Sequence, residues 1–140
     1  MLLALVAPAF AGPLINEVLY DPTGSDATTS EWIELCNPGS SLVDLAGYEI
    51  WAAGTTPSKI GTITSGTIPA RGYALVGGPS PTVTASMTGT MQNGGSDTDA
   101  VYLKAPGGSW ADALFYDTPN SNNLTNEAGT VATSDRKSVV

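Results

Sequence analysis

An all-β fold, a sandwich or a barrel, is what this sequence predicts, and three observations carry that expectation. Its apolar runs are short and are bounded by Gly, Pro, Asn, Asp or Ser, the punctuation of strands and turns. No segment sustains a helical period. Charged residues make up only 13% of the 140, with Gly, Ser, Thr and Pro filling much of the gap. That is roughly half the usual charged share, and it suits a loop-rich β protein better than a helical one.

Taken in order, the strands expected are Leu14–Tyr20, Trp32–Cys36, Tyr48–Trp51, Ile60–Thr64, Tyr73–Gly77, Ala100–Lys104 and Trp110–Tyr116. Short extended pieces are expected over Leu42–Leu45 and Thr67–Pro69. Between them the turns have readable chemistry. Asp21-Pro22-Thr23-Gly24 favours a type I turn, and Asn37-Pro38-Gly39-Ser40 carries the Pro-Gly centre of type II. Pro69-Ala70-Arg71-Gly72 is a further turn that starts on Pro and ends on Gly, and Ala105-Pro106-Gly107-Gly108 reads as a hairpin turn. The Pro-, Ser- and Thr-rich segment from Gly78 to Thr90 is too long for an ordinary hairpin connection, so it is expected to cross between sheets or cap one end. Residues 120–140 lack an apolar period and are expected to be a tail or linker.

Composition excludes several functions. The formal net charge is −8, and the cations Lys59, Arg71, Lys104, Arg136 and Lys137 are scattered or terminal. Duplex binding requires clustered Lys and Arg that displace counterions, so direct nucleic-acid binding is not expected. The chain has no His, which removes the usual general base near neutral pH and the commonest zinc ligand. Its one cysteine, Cys36, cannot form an internal disulfide and is expected to be a small buried apolar residue. Residues 1–11 combine the apolar run Leu2-Leu3-Ala4-Leu5-Val6 with the small-x-small end Ala9-Phe10-Ala11. That reads as the remnant of a secretory signal, too short to span a bilayer, and implies a secreted or cell-surface protein.

Three ordered segments carry a family resemblance. The first runs Leu14-Ile15-Asn16-Glu17-Val18-Leu19-Tyr20-Asp21-Pro22, then a polar loop, then Glu31-Trp32-Ile33-Glu34-Leu35-Cys36-Asn37. The second is Asp44-Leu45-Ala46-Gly47-Tyr48-Glu49-Ile50 with Thr67-Ile68-Pro69-Ala70-Arg71-Gly72-Tyr73-Ala74-Leu75-Val76. The third runs from Gln92 to Leu103 and ends on Ala111-Asp112-Ala113-Leu114-Phe115-Tyr116. In order and spacing they resemble the lamin tail domain in the form found in secreted bacterial proteins. The resemblance implies an immunoglobulin-like β-sandwich of about seven to nine antiparallel strands over residues 12–118. It also implies a non-catalytic interaction module. Nuclear roles do not carry over, because the basic surface, the cysteines and the preceding coiled coil of the nuclear members are missing here.

Candidate site residues follow from chemistry. Glu17, Asp21, Asp26, Glu31 and Glu34 crowd one stretch, and an Asp21, Asp26, Glu31 loop rich in oxygens could hold Ca²⁺ weakly. Asp97-Thr98-Asp99 resembles the start of a calcium loop but lacks the Gly and Glu that would complete one, so a turn cap is expected there. Trp32 shares a strand side with Glu34, opposite Ile33 and Leu35, and Trp51 ends a strand. With Tyr20, these aromatics are the candidates for contact with a protein or glycan partner. Glu17 and Glu34 are the strand-borne carboxylate pair worth naming for glycoside chemistry, although nothing places them about a cleft. No nucleophile elbow, phosphate loop or zinc-protease motif is present, and no catalytic residue is expected. The function expected is therefore a binding or scaffolding module. The alternatives are a structural or adhesive surface unit, or an accessory domain of a secreted metal-dependent hydrolase of nuclease or phosphatase type.

Overall fold

The computed structural model describes residues 12–24, 26–95, 97–117 and 119–132. The expected signal remnant, 1–11, and the last part of the expected tail, 133–140, lie outside the described residues. Ten strands follow one another: β1 Leu14–Leu19, β2 Trp32–Cys36, β3 Val43–Asp44, β4 Glu49–Ala53, β5 Ser58–Ser65, β6 Thr67–Ile68, β7 Tyr73–Gly77, β8 Thr84–Met87, β9 Asp99–Lys104 and β10 Trp110–Tyr116. They form a smaller sheet in the order β1-β2-β7, a larger sheet in the order β10-β9-β4-β5-β8, and the short pair β3-β6. Every pairing is antiparallel.

Alternation explains how the two sheets close. In β2, Ile33 and Leu35 are buried while Trp32, Glu34 and Cys36 are half-buried on the other side. In β7, Ala74 and Val76 point the same way as Ile33 and Leu35. These residues meet Ile50, Ile63, Val101, Leu103 and Leu114 of the larger sheet in one continuous core. The two sheets are also tied along one side. The buried carboxylate of Asp112, on β10, accepts the Ile15 backbone N–H of β1 at 2.8 Å. On the other side Thr82 bonds to β7 twice, through its hydroxyl to Leu75 N at 2.7 Å and through its own N–H to Leu75 O at 3.0 Å. This local pairing occupies an edge that would otherwise invite another strand.

The segment from Gly78 to Thr90 crosses from β7 in the smaller sheet to β8 in the larger one, as its length suggested. β8 itself escapes sequence reading. Its residues, Thr84-Ala85-Ser86-Met87, have no strong apolar alternation, and they become a strand by pairing with the edge of β5. β4 also runs further than expected. Ala52 and Ala53, assigned from sequence to a loop, are buried strand residues, one facing each core. Cys36 is corrected too: it is half-buried on the outward side of β2, where Tyr73 is its β7 partner, and is not a core residue.

β9 is buried on both faces, which requires a second layer outside the larger sheet. Residues 120–132 supply it. Leu124, 4% exposed, and half-buried Ala132 pack with Ala53, Ala100, Tyr102, Ala113 and Phe115. Tyr102 Oη donates to Thr125 O at 2.9 Å, and the Asn120 side chain holds Leu124 N, Leu124 O and Ala132 O. Part of the stretch expected to be a tail is thus the cover of the larger sheet. Leu124→Ala is expected to cost ~2–3 kcal/mol in urea unfolding, the usual range for a truncated buried leucine. An exposed tail residue would show almost no change.

Candidate interaction surface

The three aromatic candidates do not come together. Tyr20 stacks on Tyr116, with ring centroids 4.1 Å apart at 25°, just beyond the end of β1. Trp51 lies on the outer face of the larger sheet, edge-on to Trp110 at 5.5 Å. Its indole N–H donates to Glu49 Oε2 at 2.9 Å, and Lys104 Nζ sits 4.7 Å from its ring centre and 5.2 Å from that of Trp110. That ammonium is engaged by two rings, a favourable cation–π arrangement. Trp32 lies on the outer face of the smaller sheet, on the opposite side of the sandwich. Two glycines with positive φ, Gly77 at 75° and Gly78 at 72°, bring the chain past it. A Cβ at Gly78 would stand 3.0 Å from Trp32 Cβ, and one at Gly77 would stand 2.8 Å from Glu31 O. Only glycine combines that conformation with that approach.

The acidic loop is divided in the same way. Asp21 and Asp26 are exposed, and Asp26 accepts a hydrogen bond from Asn93 Nδ2 at 2.7 Å. Glu31 is buried, 5% exposed, and its Oε2 accepts the Met91 N–H at 2.7 Å. Its Oε1 is buried without a partner. Burial is the main reason its carboxyl is pushed up to about 7, with the Asp26 charge adding to the effect. Among the described residues, no group of three or more acidic or cysteine side chains is placed to hold a metal ion. Of the three calcium candidates, Asp21 and Asp26 thus lie at the surface and Glu31 is held inside.

Sequence reading missed another buried acid with an unpartnered oxygen. Asp97 caps its turn as expected, accepting from Thr98 N at 3.0 Å and Ser121 N at 2.7 Å. Asp99 instead begins β9 and is 3% exposed, with Oδ2 buried and unpartnered. Desolvation, then the charges of Asp117 and Asp97, push its carboxyl up to about 6. Tyr116 Oη donates to Gln92 O at 2.7 Å, and burial together with Asp99, Glu31 and Asp117 drives its ionisation strongly upward. No single-sequence signal marked Asp99, because its burial depends on the loops packed around the start of β9.

The outward residues of the smaller sheet remain to be placed. Leu14, Leu19, Trp32 and Leu75 are half-buried, Tyr73 is 60% exposed, and none of the five belongs to either core cluster. The larger sheet has its outer layer in residues 120–132, whereas this face has no matching apolar layer among the described residues.

The family model described as Lamin Tail Domain covers residues 7–118. This chain belongs to the lamin tail domain family. Among curated proteins, none matches it. The family fold is immunoglobulin-like and non-enzymatic, of the protein-interaction type, in keeping with the layered antiparallel sheets described above. Among the described residues of this lamin tail domain, no helix is long and apolar enough to cross a membrane.

Proposed function

We propose that this lamin tail domain is a non-catalytic binding module of a secreted or cell-surface protein, and that it works through the outer face of the β1-β2-β7 sheet. The observation that carries this reading is the contrast between the two outer faces. One is covered by Leu124 and Ala132, and the other presents Leu14, Leu19, Trp32, Tyr73 and Leu75 outside both cores. A half-exposed apolar sheet face with aromatic members is the surface type that partners use for anchoring. Its outward carboxylates, Glu17 opposite Glu34, favour a protein with basic side chains over a neutral glycan.

Tyr73→Ser tests the reading without touching the core, because Tyr73 is 60% exposed. The full chain would be immobilised and challenged with the purified secreted proteins and cell-wall glycans of its source. Retention of a protein that falls at least about tenfold in the Tyr73→Ser variant, with Trp51→Phe unaffected, is the expected result. Equal retention by parent and Tyr73→Ser would remove this face from the function.

A further inference from the structure

The face just described carries an arrangement that costs the fold stability. Its outward residues form cross-strand rows: Leu14, Cys36 and Tyr73; Glu17, Glu34 and Leu75; Leu19, Trp32 and Gly77. The middle row sets two carboxylates directly opposite each other. Directly opposed like charges destabilise an antiparallel pair. A bulge between Ile15 and Glu17 produces this pairing, because it turns Asn16 and Glu17 outward together while Ile15 and Val18 stay in the core. Asn16 Nδ2 donates to Glu34 Oε1 at 2.7 Å, which answers one of the four carboxylate oxygens. Among the described residues, no cation forms an ion pair with Glu17 or Glu34.

Among the described residues, Lys59 and Lys104 are on the larger sheet, and Arg71 borders this face only at its Cys36 and Tyr73 end, a row away from the carboxylates. Lys59 pairs with Glu49 at 3.1 Å, Lys104 lies over Trp51 and Trp110, and Arg71 is in the turn before β7. Arg71 takes a φ of 59° there, so the turn fixes its backbone. The overall charge of −8 adds to the local excess.

We propose that the outer face of the β1-β2-β7 sheet binds a basic protein segment, an arginine of which bridges the Glu17 and Glu34 carboxylates. This deepens the function proposed above and rests on it. A guanidinium suits the pair because its planar donors can serve two carboxylates at once. Its stem and planar face can lie along Trp32, in the next row, and Leu75, which ends the acidic row. In this reading the repulsion built into the free domain is relieved when the partner's cation arrives, so the pair favours a basic partner over neutral or acidic ones.

The test uses the full chain, an oligo-arginine peptide as probe and an oligo-glutamate peptide as control. Oligo-arginine binding is expected to shift the backbone amide resonances of Glu17, Trp32, Glu34 and Leu75. The double variant Glu17→Gln, Glu34→Gln should bind roughly tenfold more weakly and melt no lower than the parent. Asp21→Asn with Asp26→Asn removes the same charge from the exposed loop and should leave affinity unchanged. Glu17→Lys, which supplies a cross-strand cation to Glu34, should abolish binding, and it keeps the test decisive should the double variant not fold. Equal weakening in the two double variants would reveal a diffuse attraction to an acidic protein and overturn the proposal, as would no binding of oligo-arginine by the parent. Either outcome leaves the Tyr73→Ser retention result standing on its own, because that experiment reads the face without reference to charge.

Discussion

Replacing Glu31 with glutamine is expected to stabilise the protein at pH 7.5 and to flatten its stability profile between about pH 4.5 and pH 7. Glu31 is buried with one carboxylate oxygen unpartnered, and its carboxyl is raised from 4.5 to about 7 by desolvation first and by Asp26 second. A group raised in this way favours the folded state while it holds its proton. Its contribution is therefore fully present below 4.5 and is lost as the pH rises through about 7. Asp99 acts in the same direction over the window from 3.8 to about 6. Glu49 has the opposite sign, lowered by the Trp51 and Lys59 hydrogen bonds, so its contribution disappears only as the pH falls through the carboxylate range. It does not mask the decline on the neutral side. The gap for Glu31 corresponds to ~3 kcal/mol. Solvent screening at this loop-lined end brings the expected effect to ~1–2 kcal/mol. Glutamine keeps an oxygen for Met91 N–H and removes the buried charge. Thermal melts across pH would show the parent losing stability toward neutrality and Glu31→Gln losing less, by about 4–8 °C at pH 7.5. Parallel parent and variant curves would mean that the Glu31 carboxylate is solvated.

Asn37→Ala is expected to be the most damaging single side-chain truncation outside the apolar core, at ~3 kcal/mol. Asn37 is 2% exposed at the end of β2. Its amide nitrogen donates to Ser41 O at 2.7 Å, Pro69 O at 3.1 Å and Ile68 O at 3.2 Å, while its Oδ1 accepts Gly39 N–H at 2.9 Å. One side chain thus joins the 38–41 turn to the link between β6 and β7. Alanine would leave several of these backbone groups buried without partners, each costing ~1–3 kcal/mol. Urea unfolding should show a lower midpoint with an unchanged slope. Asn37→Asp should be no better, because a carboxylate cannot donate to the three carbonyls. A loss below ~1 kcal/mol would indicate that water replaces the side chain in the turn.

Much of the sandwich was legible because alternation is local. Ile33 and Leu35 against Trp32 and Glu34 announced both the strand and its inward side, and the structure keeps that assignment. Turn chemistry was legible in part. Gly72 N–H closes on Pro69 O at 3.0 Å, and the hairpin at 105–108 closes from Gly108 N–H to Ala105 O at 2.8 Å. The type II turn expected at Asn37-Pro38-Gly39-Ser40 is not formed, because Gly39 lacks the positive φ it requires; the Asn37 side chain shapes this turn instead, its Oδ1 accepting Gly39 N–H. β8 was not legible, since Thr84-Ala85-Ser86-Met87 becomes a strand only when β5 offers it an edge. Nor was the cover formed by Leu124, an isolated apolar residue in a polar stretch.

Among the candidate site residues, sequence proximity misled where the chain bends. Asp21, Asp26 and Glu31 are neighbours in the chain, yet two are exposed and one is buried. Trp32 and Trp51 share a residue type and face opposite ways. Glu17 and Glu34, named together from the sequence, are opposite each other in the sheet, on its outer face.

By itself the sequence determined the strands that carry apolar alternation, β2 foremost, and which of their faces had to be buried, because those properties depend on a residue and its near neighbours. It also determined the acidic character and the absence of imidazole chemistry, since composition survives any folding. Only the tertiary structure decided which sheet each strand joined, that Asp99 and Glu31 would lose their water, and that, among the described residues, one outer face has an apolar cover and the other has none. Desolvation and cross-strand register depend on contacts between residues distant in the chain, and a linear pattern does not contain them.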